Sequence, residues 1–130
     1  ASLTDLMRGI SVDDHQQLVY AFKQITVQRY NFRRSPEELK VFAKRCHDLI
    51  DAVNYPEMAS SDVCNLFYET SAIWSQIVRL NLGHEGYVQP IYLLNLRLVR
   101  ELHYKYDKAS PADLLNAITA LVTIKYDQKK

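Results

Sequence analysis

Apolar residues recur along this chain with the period of an α-helix, in six stretches separated by polar or Gly/Pro-containing breaks. Leu3, Leu6, Met7 and Ile10 stand at i, i+3, i+4 and i+7, which predicts a short first helix over 2–10 ending near Gly9. Leu18, Ala21, Phe22 and Ile25 form the stripe of a second helix, over about 13–30. Ser35-Pro36-Glu37-Glu38 then combines an N-cap serine, a proline at the first helical position and a capping-box glutamate. It opens a third helix, over about 36–53, which buries Leu39, Phe42, Cys46 and Leu49 and ends at Tyr55-Pro56. A fourth begins at Ser60-Ser61-Asp62 and stops at Asn81-Leu82-Gly83, where the glycine suits a left-handed cap.

The fifth helix runs from Pro90 to about Asp107, and between Ile91 and Leu98 it has almost no polar face, so it should be central and buried. Ser110-Pro111 starts a sixth, whose stripe of Leu114, Ala117, Ile118, Leu121 and Val122 is widened by Leu115, Ala120 and Ile124. Leu66, Phe67, Trp74, Leu94 and Leu98 centre the two most apolar stripes and are the expected core.

A polar motif recurs near the start of three of these helices: Asp14 with Gln17-Leu18, Asp62 with Asn65-Leu66, and Asp113 with Asn116-Ala117. An aspartate there complements the positive end of the helix dipole and caps free N–H groups. Spacings of 48 and 51 residues fit one helix pair per period. The expected fold is therefore all-α: a solenoid-like array of antiparallel helical hairpins, the second helix paired with the third and the fourth with the fifth, in one repeat domain over 1–130. A terminal repeat normally keeps a polar outer face, which the sixth helix lacks, so the chain reads as part of a longer array or as closed by a partner.

Three glycines and four prolines suit long helices with short connections. The net charge of +1 selects no class of partner, but its distribution is uneven. Six Arg or Lys residues fall between Arg29 and His47, and five acids with no Arg or Lys between Asp48 and Val78. Cys46 and Cys64, on apolar faces without metal-type spacing, are expected to be buried free thiols in a reducing, intracellular compartment. No apolar run approaches the roughly 20 residues that span a bilayer, so no membrane partner is expected.

No residue constellation specifies a reaction, and a non-enzymatic role is expected. His15, His47, His84 and His103 form no metal-binding spacing, and no phosphate-cradling glycine loop is present, so neither metal nor cofactor is expected. His84-Glu85, and the acid pairs Asp13-Asp14 and Asp48 with Asp51, are best explained as a solvated turn, caps and solvated helix faces.

The segment from Arg29 to Arg34 interleaves Arg29, Arg33 and Arg34 with Tyr30 and Phe32, a composition suited to phosphates and to stacking of unpaired bases. Cations at a helix C-terminus and rings packed in an inter-helix corner are the stronger explanation of the same residues. Lys40, Lys44 and Arg45 continue the charge on the third helix, and Arg97 and Arg100 repeat it on the fifth. These ten residues are the candidate RNA-binding stripe.

The phrases Ser61-Asp62-Val-Cys-Asn-Leu66 and Ser110-Pro-Ala-Asp-Leu-Leu-Asn-Ala-Ile-Thr-Ala-Leu121 resemble the recurring helix of organellar helical-repeat proteins, the octotricopeptide-like and FASTK-related arrays. The resemblance implies RNA binding, or a scaffold role in a mitochondrial ribonucleoprotein. Its motif residues are capping and packing residues and transfer no contact residues. The alternative is a protein-protein interaction adaptor of the HEAT or armadillo kind, whose groove or open end receives a partner helix.

Overall fold

A computed structural model describes residues 3–28 and 32–128, and they form six α-helices with no strand among them. These are α1 (Leu3–Arg8), α2 (His15–Gln28), α3 (Pro36–Ala52), α4 (Ser60–Arg79), α5 (Gln89–Lys105) and α6 (Pro111–Gln128), with 3₁₀ turns at Tyr55–Glu57, Gly86–Val88 and Tyr106–Lys108. The helices stack as two alternating layers. In one, α2 packs on α4 and α4 on α6; in the other, α1 packs on α3 and α3 on α5. This is the expected all-α array.

The hairpins differ in how they close. Helices α4 and α5 pack closely, whereas α2 and α3 lie further apart and meet through the Phe22 and Phe42 rings, 5.6 Å apart and tilted by 54°. Helices α4 and α6 share the most extensive contact, and small buried residues favour it: Ser71 and Ser75 on one, Ala117 and Ala120 on the other. One continuous core runs through both layers and includes Leu66, Phe67, Trp74, Leu94 and Leu98, as the apolar stripes predict. Asn95 is buried within it, accepting a 2.8 Å hydrogen bond from the Thr70 hydroxyl and donating to the Ile91 carbonyl at 3.0 Å. A buried amide is tolerated because its polar atoms are paired.

Helix α5 is less enclosed than its composition suggests. It buries Ile91, Leu94, Leu98 and Leu102 but leaves Leu93 and Leu96 exposed, because an outer-layer helix is covered on one side only.

Two helix ends correct the sequence-based expectation. The left-handed residue after α4 is Asn81, at φ 61°, and no glycine has positive φ. The Asn81 N–H bonds to the Val78 carbonyl and the Leu82 N–H to the Ile77 carbonyl, both at 3.0 Å, the Schellman arrangement built on asparagine in place of glycine. Ser35 precedes α3 but makes no side-chain capping bond, whereas Ser110 accepts the Asp113 N–H at 3.2 Å at the start of α6.

Candidate interaction surfaces

The recurring Asp motif caps α2 and, in its second and third copies, joins α4 to α6. Asp14 accepts the Gln17 N–H at 3.1 Å and caps α2, while Asp62 and Asp113 lie in the first turns of α4 and α6. The Asn65 amide donates to Asp113 at 3.2 Å and to the Ser61 carbonyl at 2.8 Å, and its oxygen accepts the Asn116 amide at 2.9 Å. The starts of the parallel helices α4 and α6 are thereby bonded to each other. Partial burial raises the Asp62 carboxyl above its usual range; His15 opposes the shift, and Asp113 and Asp14 add to it. The motif is a repeat-to-repeat staple, and its polar groups are largely spent within the fold.

The candidate basic residues differ in what they touch. Arg29 and Tyr30 lie outside the described residues. Phe32 corrects the expectation of a stacking platform: its side chain is 1% exposed and belongs to the core, so it offers no face to a base. Arg33 donates to the Leu80 carbonyl at 2.6 Å and thus caps the end of α4. Arg34 and Lys44 are exposed. Lys40 pairs with Glu37 at 3.5 Å and stands 5.4 Å from the Tyr87 ring. Arg45 is half-buried and donates to the Ile10 carbonyl at 3.1 Å, tying the end of α1 to α3.

On α5, Arg97 is a structural cation. Its guanidinium lies 4.3 Å from the Tyr55 ring centroid and 3.2 Å from the buried Glu101, whose other oxygen is 3.3 Å from Lys105. Lys105 in turn donates to the Tyr55 and Met58 carbonyls. This triad clips the α3–α4 connection onto α5. Arg100 remains exposed. Two shallow grooves result: one of about 400 Å³ between α1 and α3 beside Arg8, Lys44 and Arg45, the other of about 440 Å³ along α5 beside Arg97, Arg100, Tyr104 and Lys108. They share no lining residue.

Helix α6 offers a third surface, signalled in the sequence by its wide apolar stripe. Between α5 and α6 runs a groove of about 470 Å³ lined by Val99, Leu102, His103, Tyr106, Leu114, Ala117, Ile118 and Leu121. Beside it α6 presents Leu115, Ile118 and Val122, exposed by 64%, 55% and 62%. Monomeric proteins rarely leave so large a contiguous apolar face in water. The hydroxyls of Thr119 and Thr123 donate to the carbonyls one turn back, Leu115 and Thr119, each at 2.8 Å, so neither depends on water for a bond.

No cluster of His, Cys, Asp or Glu among the described residues could hold a metal ion, and no helix is long and apolar enough to cross a membrane. Cys46 and Cys64 are buried free thiols. Burial pushes the Cys46 thiol far up, with Arg45 opposing only in part, and lifts Cys64 to about 11 with a smaller contribution from Asp113. The chain matches no protein family, and no curated protein or solved structure shows significant similarity to it.

Proposed function

We propose that this chain is a helical-repeat scaffold that acts by protein-protein interaction, its α5–α6 end receiving an amphipathic helix. The apolar groove between α5 and α6 carries this reading. The occupant follows from the repeat. Helix α5 lies against both α3 and α4, and the next helix of the series would take the same place against α5 and α6. Since α5 buries Ile91, Leu94, Leu98 and Leu102, the docked helix should carry apolar residues at i, i+3, i+7 and i+11.

A fluorescent peptide with the sequence of residues 89–105 is a direct probe. Saturable, salt-insensitive binding that is lost in Ile118→Glu, with helical circular dichroism unchanged, is the expected result. No binding, or binding undiminished in the variant, would overturn the proposal.

A second reading is contact with RNA in a ribonucleoprotein, mitochondrial where the resemblance to organellar repeat arrays holds. One observation favours it: exposed Arg100, Tyr104 and Lys108 share the groove along α5. Each phosphate contact to a single strand would add about 0.7 to the salt-dependence slope. A titration with a short unstructured RNA at several salt concentrations separates the two readings.

A further inference from the structure

Resting on the scaffold reading, we infer that the helix received at the α5–α6 end is α6 of a second copy of this chain, the two related by a two-fold axis. Leu115, Ile118, Val122 and Tyr126 stand at i, i+3, i+7 and i+11 on the exposed face of α6, the pattern the groove asks of a docked helix. With α6 of the second copy reversed about residue 120, Ile118 of each copy meets Val122 of the other. The groove lies beside this ridge on the same copy, so one rotation seats both ridges in both grooves, as an isologous contact requires.

Charge and area agree with that occupant. Between Asp113 and Lys125 the helix has no charged residue, so two copies crossing at residue 120 meet without like-charge repulsion. The internally bonded Thr119 and Thr123 can be covered without losing a hydrogen bond to water. Tyr106, Leu115, Ile118, Leu121, Val122 and Tyr126 are all exposed. Together they offer on the order of 600–700 Å² per copy, close to the roughly 800 Å² that each partner contributes to a stable interface.

Sedimentation equilibrium of the wild type and of Ile118→Lys and Val122→Glu, each first shown to be folded by circular dichroism, tests the inference. The wild type should have twice the 15.1 kDa monomer mass at tens of micromolar. Each variant alone should be monomeric. A mixture of the two should regain the dimer, because the antiparallel register places the new lysine of one copy against the new glutamate of the other and leaves the second crossing native. Dimers that persist in both single variants, or a mixture that stays monomeric, would overturn the inference. A monomeric wild type that binds the 89–105 peptide would overturn the second copy and retain the groove; a monomeric wild type that does not bind it would overturn both.

Discussion

The side-chain amide of Asn116 donates a 2.9 Å hydrogen bond to the side-chain oxygen of Asn65, 51 residues earlier and at the same position of the preceding motif. Equivalent residues of successive repeats thus touch each other directly. Sequence periodicity becomes a physical contact, because parallel helices of one layer start at the same level and bring their first-turn side chains into reach.

Removing this staple should loosen the α4–α6 pair. Asn65→Ala strips partners from both Asp113 and Asn116 and should cost about 1–3 kcal/mol, whereas Asn116→Ala, which breaks the bond to Asn65, should cost about 0.5–1.5 kcal/mol. The double variant should cost less than the sum by at least about 0.5 kcal/mol in urea denaturation. Strict additivity would mean that the two side chains do not interact in solution.

The two faces of α5 should respond differently to truncation. Leu94→Ala or Leu98→Ala creates a cavity in the core and should cost about 2–5 kcal/mol. Leu93→Ala and Leu96→Ala, on the exposed face, should stay within about 0.5 kcal/mol. Chemical denaturation of the four variants decides it, and a large loss at Leu93 would place that side chain in an interface.

Both cysteines should resist alkylation in the native protein. They are buried, and at pH 8 the Cys64 thiol, lifted to about 11, is almost wholly protonated. Mass spectrometry after a short alkylation should find neither modified until denaturant is added. Fast labelling of both in buffer would contradict their burial.

Glu69 should make stability fall as pH rises. Burial raises its carboxyl above the usual range, Thr26 and Lys23 offset this only in part, and its Oε2 has no hydrogen-bond partner among the described residues. The folded chain then holds this proton more tightly than the unfolded chain. Stability is lost as pH climbs from about 4.3, the unfolded value, through the raised folded one. Glu69→Gln abolishes that loss, so its stability relative to wild type should be greater at pH 7 than at pH 4 in urea titrations. A difference independent of pH would show that the carboxyl titrates normally.

The six helices were legible because the 3.6-residue pattern is written in the chain, and Leu94 and Leu98 could be assigned to the core from it. Details set by tertiary packing were not. Nothing local distinguishes Asn81 from Gly83 as the left-handed residue, since both tolerate that conformation. Arg33, Arg45 and Arg97 read as a cationic stripe, but each found a carbonyl, a carboxylate or a ring supplied by a residue distant in sequence or one turn away. Phe32 sits in a basic run, and its burial in the core is a matter of tertiary packing that the run does not reveal. The open apolar face was visible as an anomaly of α6, while the groove beside it exists only because α5 lies where it does.

The proposal that the working surface is the apolar α5–α6 groove, and not the basic face, can be tested with two labels. Because Cys46 and Cys64 are buried, a single introduced thiol takes an environment-sensitive fluorophore cleanly. Ile118→Cys and Lys44→Cys, labelled separately, report on the two surfaces. The label at position 118 should shift to the blue as protein concentration rises or the 89–105 peptide is added, at low and high salt alike, while the label at position 44 should not change. A label at position 118 that stays solvent-exposed throughout, with the one at position 44 responding to short RNA in low salt, would contradict it.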